Sequence, residues 1–376
     1  MKENMKILEL CEYSAGICGT FARVKQEAEL LSKNGHEVRI FSSNLTKGTD
    51  EIAKSEDKIG KVLIRRFPST KLGGESFIYW NFEKEALELK PDVIIAHVYR
   101  HIHTSKALRV AEKLGKQGRK CKVFLVSHAS FTQETRSILG RMAVGYYDKF
   151  IGPGKLKKFD KIIHISNWEV PYLLALGVEK GKLEYVPNGI LPEYFGAIGK
   201  KEDNKILFLG RVSPIKDIET LIKSLKFVKT YVEVDIVGPA EEKYLIKLKD
   251  MLANEKIYGK VNFLPPIYDI NEKIKKIDSC KVFVLPSKRE GMSVALIEAL
   301  ARKRIVIASD NPAAKDLIQD GKNGFLFGIG NEKALAEKID LALSGKNDKI
   351  RVEARKSVLQ FSWDKVIKKL EKILAG

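Results

Sequence analysis

A chain of 376 residues with a formal net charge of +19 is long enough for two domains that each bury their own core. No apolar run approaches the ~20 residues needed to cross a bilayer, and the opening MKENMKILEL enters a strand-like stretch without the basic, apolar and small-residue regions of a signal peptide, so a cytoplasmic protein is expected. Cys11, Cys18, Cys121 and Cys280 form neither a CxxC pair nor a disulfide framework and read as buried or free thiols in a reducing compartment.

Short apolar runs alternate with amphipathic segments along the whole chain. Strands are expected at Lys6–Leu10, Glu37–Ser42, Val62–Phe67, Asp92–His97, Lys122–Ser127 and Lys161–Ile165, with helical patterns at Phe21–Lys33, Phe82–Leu89 and Thr104–Leu114. Runs this short and this apolar suit a parallel sheet covered on both faces. Leu183–Pro187 closes that series, Asn188-Gly189 supplies a turn, and Leu191–Asn204 reads as a linker. A second series follows, with strands at Ile206–Leu209, Val232–Val237, Val261–Leu264, Lys281–Leu285, Ile305–Ala308 and Gly324–Phe327. Helices at Asp217–Lys226, Glu241–Asn254, Ile270–Ile277, Ser293–Ala301 and Glu332–Ser344 separate them. The fold class is therefore α/β, two doubly wound Rossmann-like domains facing across a cleft, with ligands beyond the carboxyl ends of the strands.

The positive charge is spread almost evenly over both halves of the chain. A nucleic-acid binder would concentrate it in one stripe with interleaved aromatics, so no nucleic-acid partner is expected. Two causes stay open: a solvated Lys/Glu-rich surface of the thermophilic kind, and attraction to an anionic membrane surface or a phosphate-bearing substrate.

The segment PSKREGMSVALIEALA places Glu290 in a loop after a strand and Glu298 about two helical turns on, roughly 11 Å along the axis. That separation excludes a shared-proton dyad and allows two grips on one elongated ligand; an exposed loop acid with a helix-surface acid is the plainer alternative. Gly291 permits close backbone approach, and the N–H groups at the helix start can hold an anion. In ILFLGRVSPIKDIETL, Arg211 and Lys216 flank a strand-to-helix turn and can neutralise a diphosphate, Arg as a planar fork and Lys as a point charge.

Taken together these pieces resemble glycosyltransferase family 4, retaining enzymes of the GT-B fold, over nearly the whole chain. The resemblance is carried by QEAELLSKNGHEVRIFSS, by KFDKIIHISNWEVPYLLALGVEKGKLEYVPNGI with its Pro-Asn-Gly crossover, by GRVSPIKD, by PSKREGMSVALIEALARKRIVIAS, by DGKNGFLF and by the terminal FSWDKVIKKLEKIL. It implies an acceptor-binding domain over 1–188, a nucleotide-sugar domain over 189–359 and a C-terminal helix within 360–376 packing back on the first domain. Arg211 and Lys216 would bind the donor diphosphate and stabilise the leaving group. Glu298 would hold the ribose hydroxyls and Glu290 the transferred sugar, while Gly210 and the backbone of Gly291, Met292 and Ser293 would meet phosphate or sugar oxygens. The loop after Val261–Leu264, beginning at Pro265, would line the base.

In the first domain His128 would lie near the sugar and acceptor, though not as general base, because same-face attack lets the leaving phosphate take the acceptor proton. Gly16 and Gly19 would approach the donor. The family's Gly-Gly pair is broken here, with Cys18 at its first position, and Ala314-Lys315 stands where the family often carries Glu. The implied partners are a nucleotide sugar, UDP- or GDP-linked, and a glycan or lipid-linked acceptor; no cofactor and no metal are expected. Closure of the cleft would assemble the site and exclude water. The rival readings are a nucleotide-sugar epimerase or sugar phosphorylase on the same fold, and a non-catalytic basic binding protein.

Two further features carry weaker signals. His97, His101 and His103 match no strong metal-ligand spacing and read as polar loop residues after a strand. Tyr146, Tyr147, Lys149, Phe150, Lys155, Lys157 and Lys158 mix aromatic and basic side chains around Gly-Pro-Gly. That segment reads either as a solvated interhelical loop or as a surface resting on anionic headgroups, which would make the protein peripheral at the inner face of the cell membrane.

Overall fold

The computed structural model describes residues 4–73, 77–129, 131, 138–199, 202–254, 260–345 and 347–376. The chain divides into two compact units, Met1–Pro187 with Val366–Gly376, and Asn188–Lys365.

In the first unit the strands are β1 (Lys6–Tyr13), β2 (Glu37–Ser43), β3 (Glu56–Ile59), β4 (Val62–Phe67), β5 (Ser69–Lys71), β6 (Ile78–Trp80), β7 (Val93–His97), β8 (Lys122–Val126), β9 (Lys161–His164) and β10 (Leu183–Tyr185). Eight of them form one sheet in the order β10-β9-β8-β7-β1-β2-β4-β3, parallel except where β3 runs against β4, and β5 pairs with β6 in a separate ribbon. The central strands are buried on both faces, as continuous apolar runs such as Val93–His97 require. The expected strand at Lys6–Leu10 runs on to Tyr13, which brings Cys11 and Glu12 into the sheet interior along with Glu9.

Helix Gly19–Lys33 presents Arg23, Val24, Glu27, Ala28 and Leu31 to that sheet, an i, i+4 stripe in which two of the inward positions are charged. The last helix, Trp363–Ala375, ties its end into the same unit: Asn34 Nδ2 donates to Glu371 Oε1 at 2.7 Å and Lys122 Nζ donates to the Ala375 carbonyl at 3.3 Å.

The segment read as an interhelical loop around Gly152-Pro153-Gly154 is instead helical. Helix Ile138–Tyr146 passes through a π turn, Tyr147–Ile151, into helix Gly152–Leu156. The glycines do not break it because Asp148, inside the turn, is gripped by Arg100 at 2.8 and 2.5 Å and by the Tyr99 hydroxyl at 3.2 Å.

The second unit holds β11 (Asp203–Leu209), β12 (Glu233–Val237), β13 (Val261–Leu264), β14 (Cys280–Leu285), β15 (Ile305–Ser309) and β16 (Phe325–Phe327). They form a fully parallel sheet in the order β13-β12-β11-β14-β15-β16. This is the dinucleotide-fold order, and it reverses direction between β11 and β14, the crevice where doubly wound sheets hold their ligands. The described part of the stretch Leu191–Asn204, expected as a linker, is bound down. Pro192–Phe195 forms a 3₁₀ turn with Tyr194 buried, and the Arg302 guanidinium reaches the carbonyls of Tyr194 and Gly196 at 3.3 Å each. Arg302 is only 1% exposed and is held by Asp278 at 2.8 Å, so its buried charge is compensated.

Candidate active site

The loops leaving β11 and β14 meet at the switch point. After Leu209 the chain runs through Gly210 and Arg211 to the 3₁₀ turn Pro214–Lys216, and after Leu285 through Pro286 to Ser293. They are stitched together by the Lys288 N–H, which donates to the Ile215 carbonyl at 2.9 Å, and by Lys216 Nζ, 2.5 Å from Glu290 Oε1. Arg211 is exposed and takes no partner among the described residues. Asp217, in left-handed backbone at φ +49°, bonds Thr220 at 2.8 Å and turns the chain into helix Ile218–Ser224.

The Ser287 carbonyl is fixed by Ser309 Oγ and by Asn311 Nδ2, the latter at 3.0 Å, so the β14 loop is anchored to the strand beside it. At its end Ser293 caps helix Val294–Ala301, its hydroxyl accepting from the Leu296 N–H at 3.3 Å. This leaves the earlier first-turn N–H groups as the open donors that suit an anion. Ser293 is therefore the cap rather than the first helical residue. Met292 is buried and its sulfur accepts from the Asn188 N–H at 3.3 Å, so only its backbone can face a ligand.

Glu298 lies in the buried part of that helix, 4% exposed, and Lys273 of helix Ile270–Asp278 spans both its oxygens, at 2.7 Å to Oε1 and 2.6 Å to Oε2. Burial, then the Glu298 charge, pushes the Tyr194 phenol well above its usual range. Neither Lys273 nor Tyr194 was visible as a site residue in the sequence, because each comes from a segment with no motif of its own.

The strand ends on the other side of β11 are packed backbone against backbone. Gly210 N–H donates to the Val237 carbonyl at 3.0 Å and Gly238 N–H to the Leu264 carbonyl at 3.2 Å, with exposed Pro265 next in the chain. A Cβ at Gly238 would lie 2.0 Å from the Gly210 carbonyl oxygen, so position 238 admits only glycine while Gly210 keeps its place. Gly238 was missed in the sequence; the signal was the Gly-Pro step directly after an expected strand. Ala314 is buried and Lys315 pairs with Asp310 at 3.3 Å, so the departure at Ala314-Lys315 puts no carboxylate there.

In the first unit Gly16 has φ +78°, and a Cβ there would lie 2.3 Å from the Lys47 carbonyl oxygen. Gly19 opens helix Gly19–Lys33 with nothing within 4 Å of a built Cβ. His128 is half-buried with left-handed backbone, φ +52°. Its position is set by Glu169, which accepts from the Ala129 N–H at 2.7 Å and from the Ser127 hydroxyl, and closes back on the Ile165 and Ser166 N–H groups at 2.8 and 2.9 Å. His128 Nε2 meets His97 Nδ1 at 2.8 Å. Burial holds the His128 imidazole well below the ordinary histidine range, so it is neutral at physiological pH.

The reading of His97, His101 and His103 as polar loop residues is corrected. His97 ends β7 and is fully buried, His101 precedes helix Ile102–Lys116, and His103 lies inside it, buried. Each answers a carboxylate from β1: His97 Nε2 is 2.6 Å from Glu9 Oε2, and His101 and His103 each place Nδ1 3.0 Å from Glu12 Oε2. The strand was expected to end at Leu10, which hid Glu12 as a partner.

Residues 18–194 match the family described as Glycosyltransferase Family 4, and residues 192–357 match Glycosyl transferases group 1. The chain is a family 4-like glycosyltransferase. This glycosyltransferase is 24% identical to an uncharacterized glycosyltransferase of Methanocaldococcus jannaschii, over 96% of this chain and 95% of the other. It is 26% identical to a phosphatidyl-myo-inositol mannosyltransferase of Mycolicibacterium smegmatis, over 96% and 91%. Among solved structures it superposes on HepE of Anabaena in complex with UDP and glucose with a TM-score of 0.75 at 18% identity, covering 99% of this chain and 100% of that one. The glycosyltransferase has the GT-B fold, with two Rossmann-like domains. The switch point of its second domain gathers Gly210, Arg211, Lys216, Glu290, Gly291 and Ser293 on two adjoining loops, with Glu298 one helix further in.

Proposed function

We propose that this glycosyltransferase moves a hexose, with retention of configuration, from a UDP- or GDP-linked sugar to an acceptor hydroxyl of a glycan or a lipid-linked substrate. The observation that carries the reading is the contact between Lys216 and Glu290, which puts a cation and a carboxylate on adjoining loops at the switch point. The donor diphosphate takes the Lys216 ammonium away from Glu290, and Arg211 supplies the second cation in its exposed position. Freed from Lys216, Glu290 accepts hydrogen bonds from hydroxyls of the transferred sugar, and Glu298 accepts from the ribose.

As the bond from the anomeric carbon to the phosphate oxygen breaks, the charge gathering on that oxygen is met by Arg211, Lys216 and the helix-start N–H groups. The acceptor oxygen attacks from the face the diphosphate leaves, and its proton passes to the departing phosphate oxygen. Two cationic side chains and a helix start fill the role a divalent metal plays elsewhere, so the reading assigns no metal and no cofactor. His128 in the first domain contacts the acceptor or the sugar. The HepE structure holds UDP and glucose, which supports a uridine donor. Arg211→Ala is expected to lower nucleoside diphosphate release coupled to acceptor glycosylation by roughly 10²–10³ with the melting temperature in place, and Glu298→Ala to abolish it with the fold intact but a lower melting temperature, because Lys273 loses its partner. Wild-type transfer by either variant overturns the reading, and release without an acceptor product points to an epimerase or phosphorylase instead.

A second observation bears on the acceptor. Ile138, Leu139, Met142, Tyr146 and Phe150 are all exposed on helix Ile138–Tyr146 and its π turn, spaced to share one face, while Val144 on the opposite face is buried. Lys149 lies 5.3 Å over the Phe150 ring, so a cation borders the apolar face. No described helix is long and apolar enough to cross a membrane. An amphipathic face with a basic border lies flat in an anionic interface, where a lipid-linked acceptor is presented. Vesicles containing phosphatidylglycerol are expected to sediment with the protein, and Met142→Asp with Phe150→Asp to abolish that; equal sedimentation of the double variant refutes membrane docking by this helix.

A further inference from the structure

We propose that Glu9 and His97 form a hydrogen-bonded relay beneath His128, in which a proton on Glu9 decides whether the free ring nitrogen of His128 meets its ligand as a donor or as an acceptor. The relay is continuous. Glu9 Oε2 is 2.6 Å from His97 Nε2, and His97 Nδ1 is 2.8 Å from His128 Nε2. Glu9 and His97 are fully buried on the neighbouring strands β1 and β7, so no solvent breaks the chain. The far nitrogen of His128, Nδ1, takes no partner among the described residues. Glu169, by fixing the Ser127–Ala129 backbone, keeps Nε2 turned inward and Nδ1 turned away.

A neutral imidazole carries one N–H, so the bond polarity along this chain is all of one sense. With Glu9 protonated, its O–H donates to His97 Nε2, His97 Nδ1–H donates to His128 Nε2, and His128 presents Nδ1–H. With Glu9 ionised, His97 Nε2–H donates to the carboxylate, His128 Nε2–H donates to His97 Nδ1, and His128 presents a bare Nδ1. One proton leaves and every bond in the chain reverses.

Charge balance decides which state is the ground state. Helix Gly19–Lys33 sends in Arg23 and Glu27, and Arg23 Nε donates to Glu27 Oε2 at 3.0 Å, so the nearest guanidinium is committed to Glu27. Glu9 is left with the neutral His97 ring at Oε2 and with the Glu27 carboxyl beside it, within 4.8 Å, whose contact lowers Glu9 less than burial raises it. Burial raises the Glu9 carboxyl to about 8 against the opposing pull of Arg23, raises Glu27 to about 7, and lowers His97 to about 3. His128 is faced by His97, Arg23 and His101, all of which, after burial, disfavour a charge on its own ring. At neutral pH Glu9 therefore keeps its proton and His128 offers an N–H, suited to the oxygen of a substrate hydroxyl. Glu9 and His97 are positioning residues; they touch no ligand.

The test uses the full chain with isotope-labelled histidine, whose two-bond proton–nitrogen correlations report which ring nitrogen is protonated; His128→Gln assigns the resonance. His128 is expected to be protonated at Nδ1 at about pH 6.5 and at Nε2 at about pH 9.5. Glu9→Gln keeps an N–H donor where the protonated carboxyl has its O–H, so its His128 stays protonated at Nδ1 at both. A wild-type tautomer that does not change with pH overturns the relay without recourse to any variant, as does a Glu9→Gln protein that still switches. The consequence for turnover rests on the reading of His128 as a sugar or acceptor contact: kcat/KM is expected to change through about pH 8 in wild type and to stay within about threefold in Glu9→Gln. A tautomer that switches while kcat/KM does not sustains the relay and overturns that reading of His128.

Discussion

In the second domain the carboxylates of Glu290 and Glu298 are each met by a lysine ammonium, at 2.5 and 2.6 Å, whereas in the first domain Glu9 and Glu12 are met by histidine rings. The difference follows from burial. Lys216 is 18% exposed and Lys273 21%, so each ammonium keeps some water and a flexible stem, and can change partners when an anion arrives. Glu9 and His97 are sealed, and a full charge there is expensive, so the site holds a shared proton in place of an ion pair. One domain is built to answer the charge of a ligand, and the other to answer pH.

The comparison breaks most readily at Arg211 and Lys216. If they meet the charge that develops on a leaving diphosphate, Arg211→Ala and Lys216→Met each lower kcat by roughly 10²–10³. Steady-state kinetics with a nucleotide-sugar panel would measure it, with calorimetry showing an unchanged fold. The alternative is that Lys216 serves only to neutralise Glu290. Then Glu290→Gln with Lys216→Met recovers wild-type kcat, an outcome the proposed role forbids.

Next in size is Gly238. Its partner in the predicted clash is backbone, the Gly210 carbonyl at 2.0 Å, which cannot swing aside like a side chain. Gly238→Ala is expected to cost about 1–3 kcal/mol by the usual cost of overpacking. The shift should pass to Gly210 and the Arg211 loop, so the donor KM rises as the melting temperature falls. A destabilised protein with an unchanged donor KM would separate the Gly210 backbone from the donor site.

The pH side of the comparison has its own measurement. Glu9 and Glu27 have folded-state values raised above their unfolded ones, so the stability they contribute is complete at low pH and is lost as pH rises toward about 8 and 7. His97 and His128 are depressed, so theirs is present above the ordinary histidine value and is lost on acidification. From about pH 4.5 to 6.5 the two effects oppose each other; from about 6.5 to 8 only the acids act. Stability is therefore expected to fall over that upper window by up to ~1.4 kcal/mol per pH unit for each proton lost, then to flatten. Glu9→Gln should remove its share of the slope. Denaturant titrations across the window decide it, and a rising or flat wild-type profile would contradict the assignment.

How much of this was legible differs between the domains for the same reason. The second domain's site lies on loops that carry their residues in short runs, Gly210 to Lys216 and Glu290 to Ser293, and the glycines and serine that shape those runs lie within them. The carboxyl ends of its strands could be placed from the alternation of apolar runs, whereas the Ser293 cap and the order of the strands could not. Lys273 and Tyr194 stayed hidden because each pairs with Glu298 from a helix face or a turn with no punctuation of its own. In the first domain the network is assembled across strands and helices: Glu9 reaches His97 over 88 residues, and Glu12 reaches His103 over 91. A histidine at the end of an apolar strand has no sequence mark that separates a buried partner from a loop residue. Helix Gly152–Leu156 was obscured for a local reason, since Gly-Pro-Gly signals a turn unless a half-buried ion pair such as Arg100–Asp148 overrides it.

The smallest expected effect separates two glycines that look alike in the sequence. Gly16 is fixed by its backbone, with φ +78° and the Lys47 carbonyl in the space of a side chain. Gly19 is free of both constraints: it begins helix Gly19–Lys33, its Cβ would meet nothing within 4 Å, and the cap before it, Cys18, offers no hydrogen bond. Alanine there lowers the entropy of the unfolded chain and favours the helix, so Gly19→Ala should stabilise the protein by ~0.4–1 kcal/mol. If that open space is kept for the donor, the same methyl group raises the donor KM while the melting temperature also rises. Stabilisation with an unchanged KM would remove Gly19 from the donor site and leave Gly16, whose glycine the backbone alone explains, with no ligand to account for.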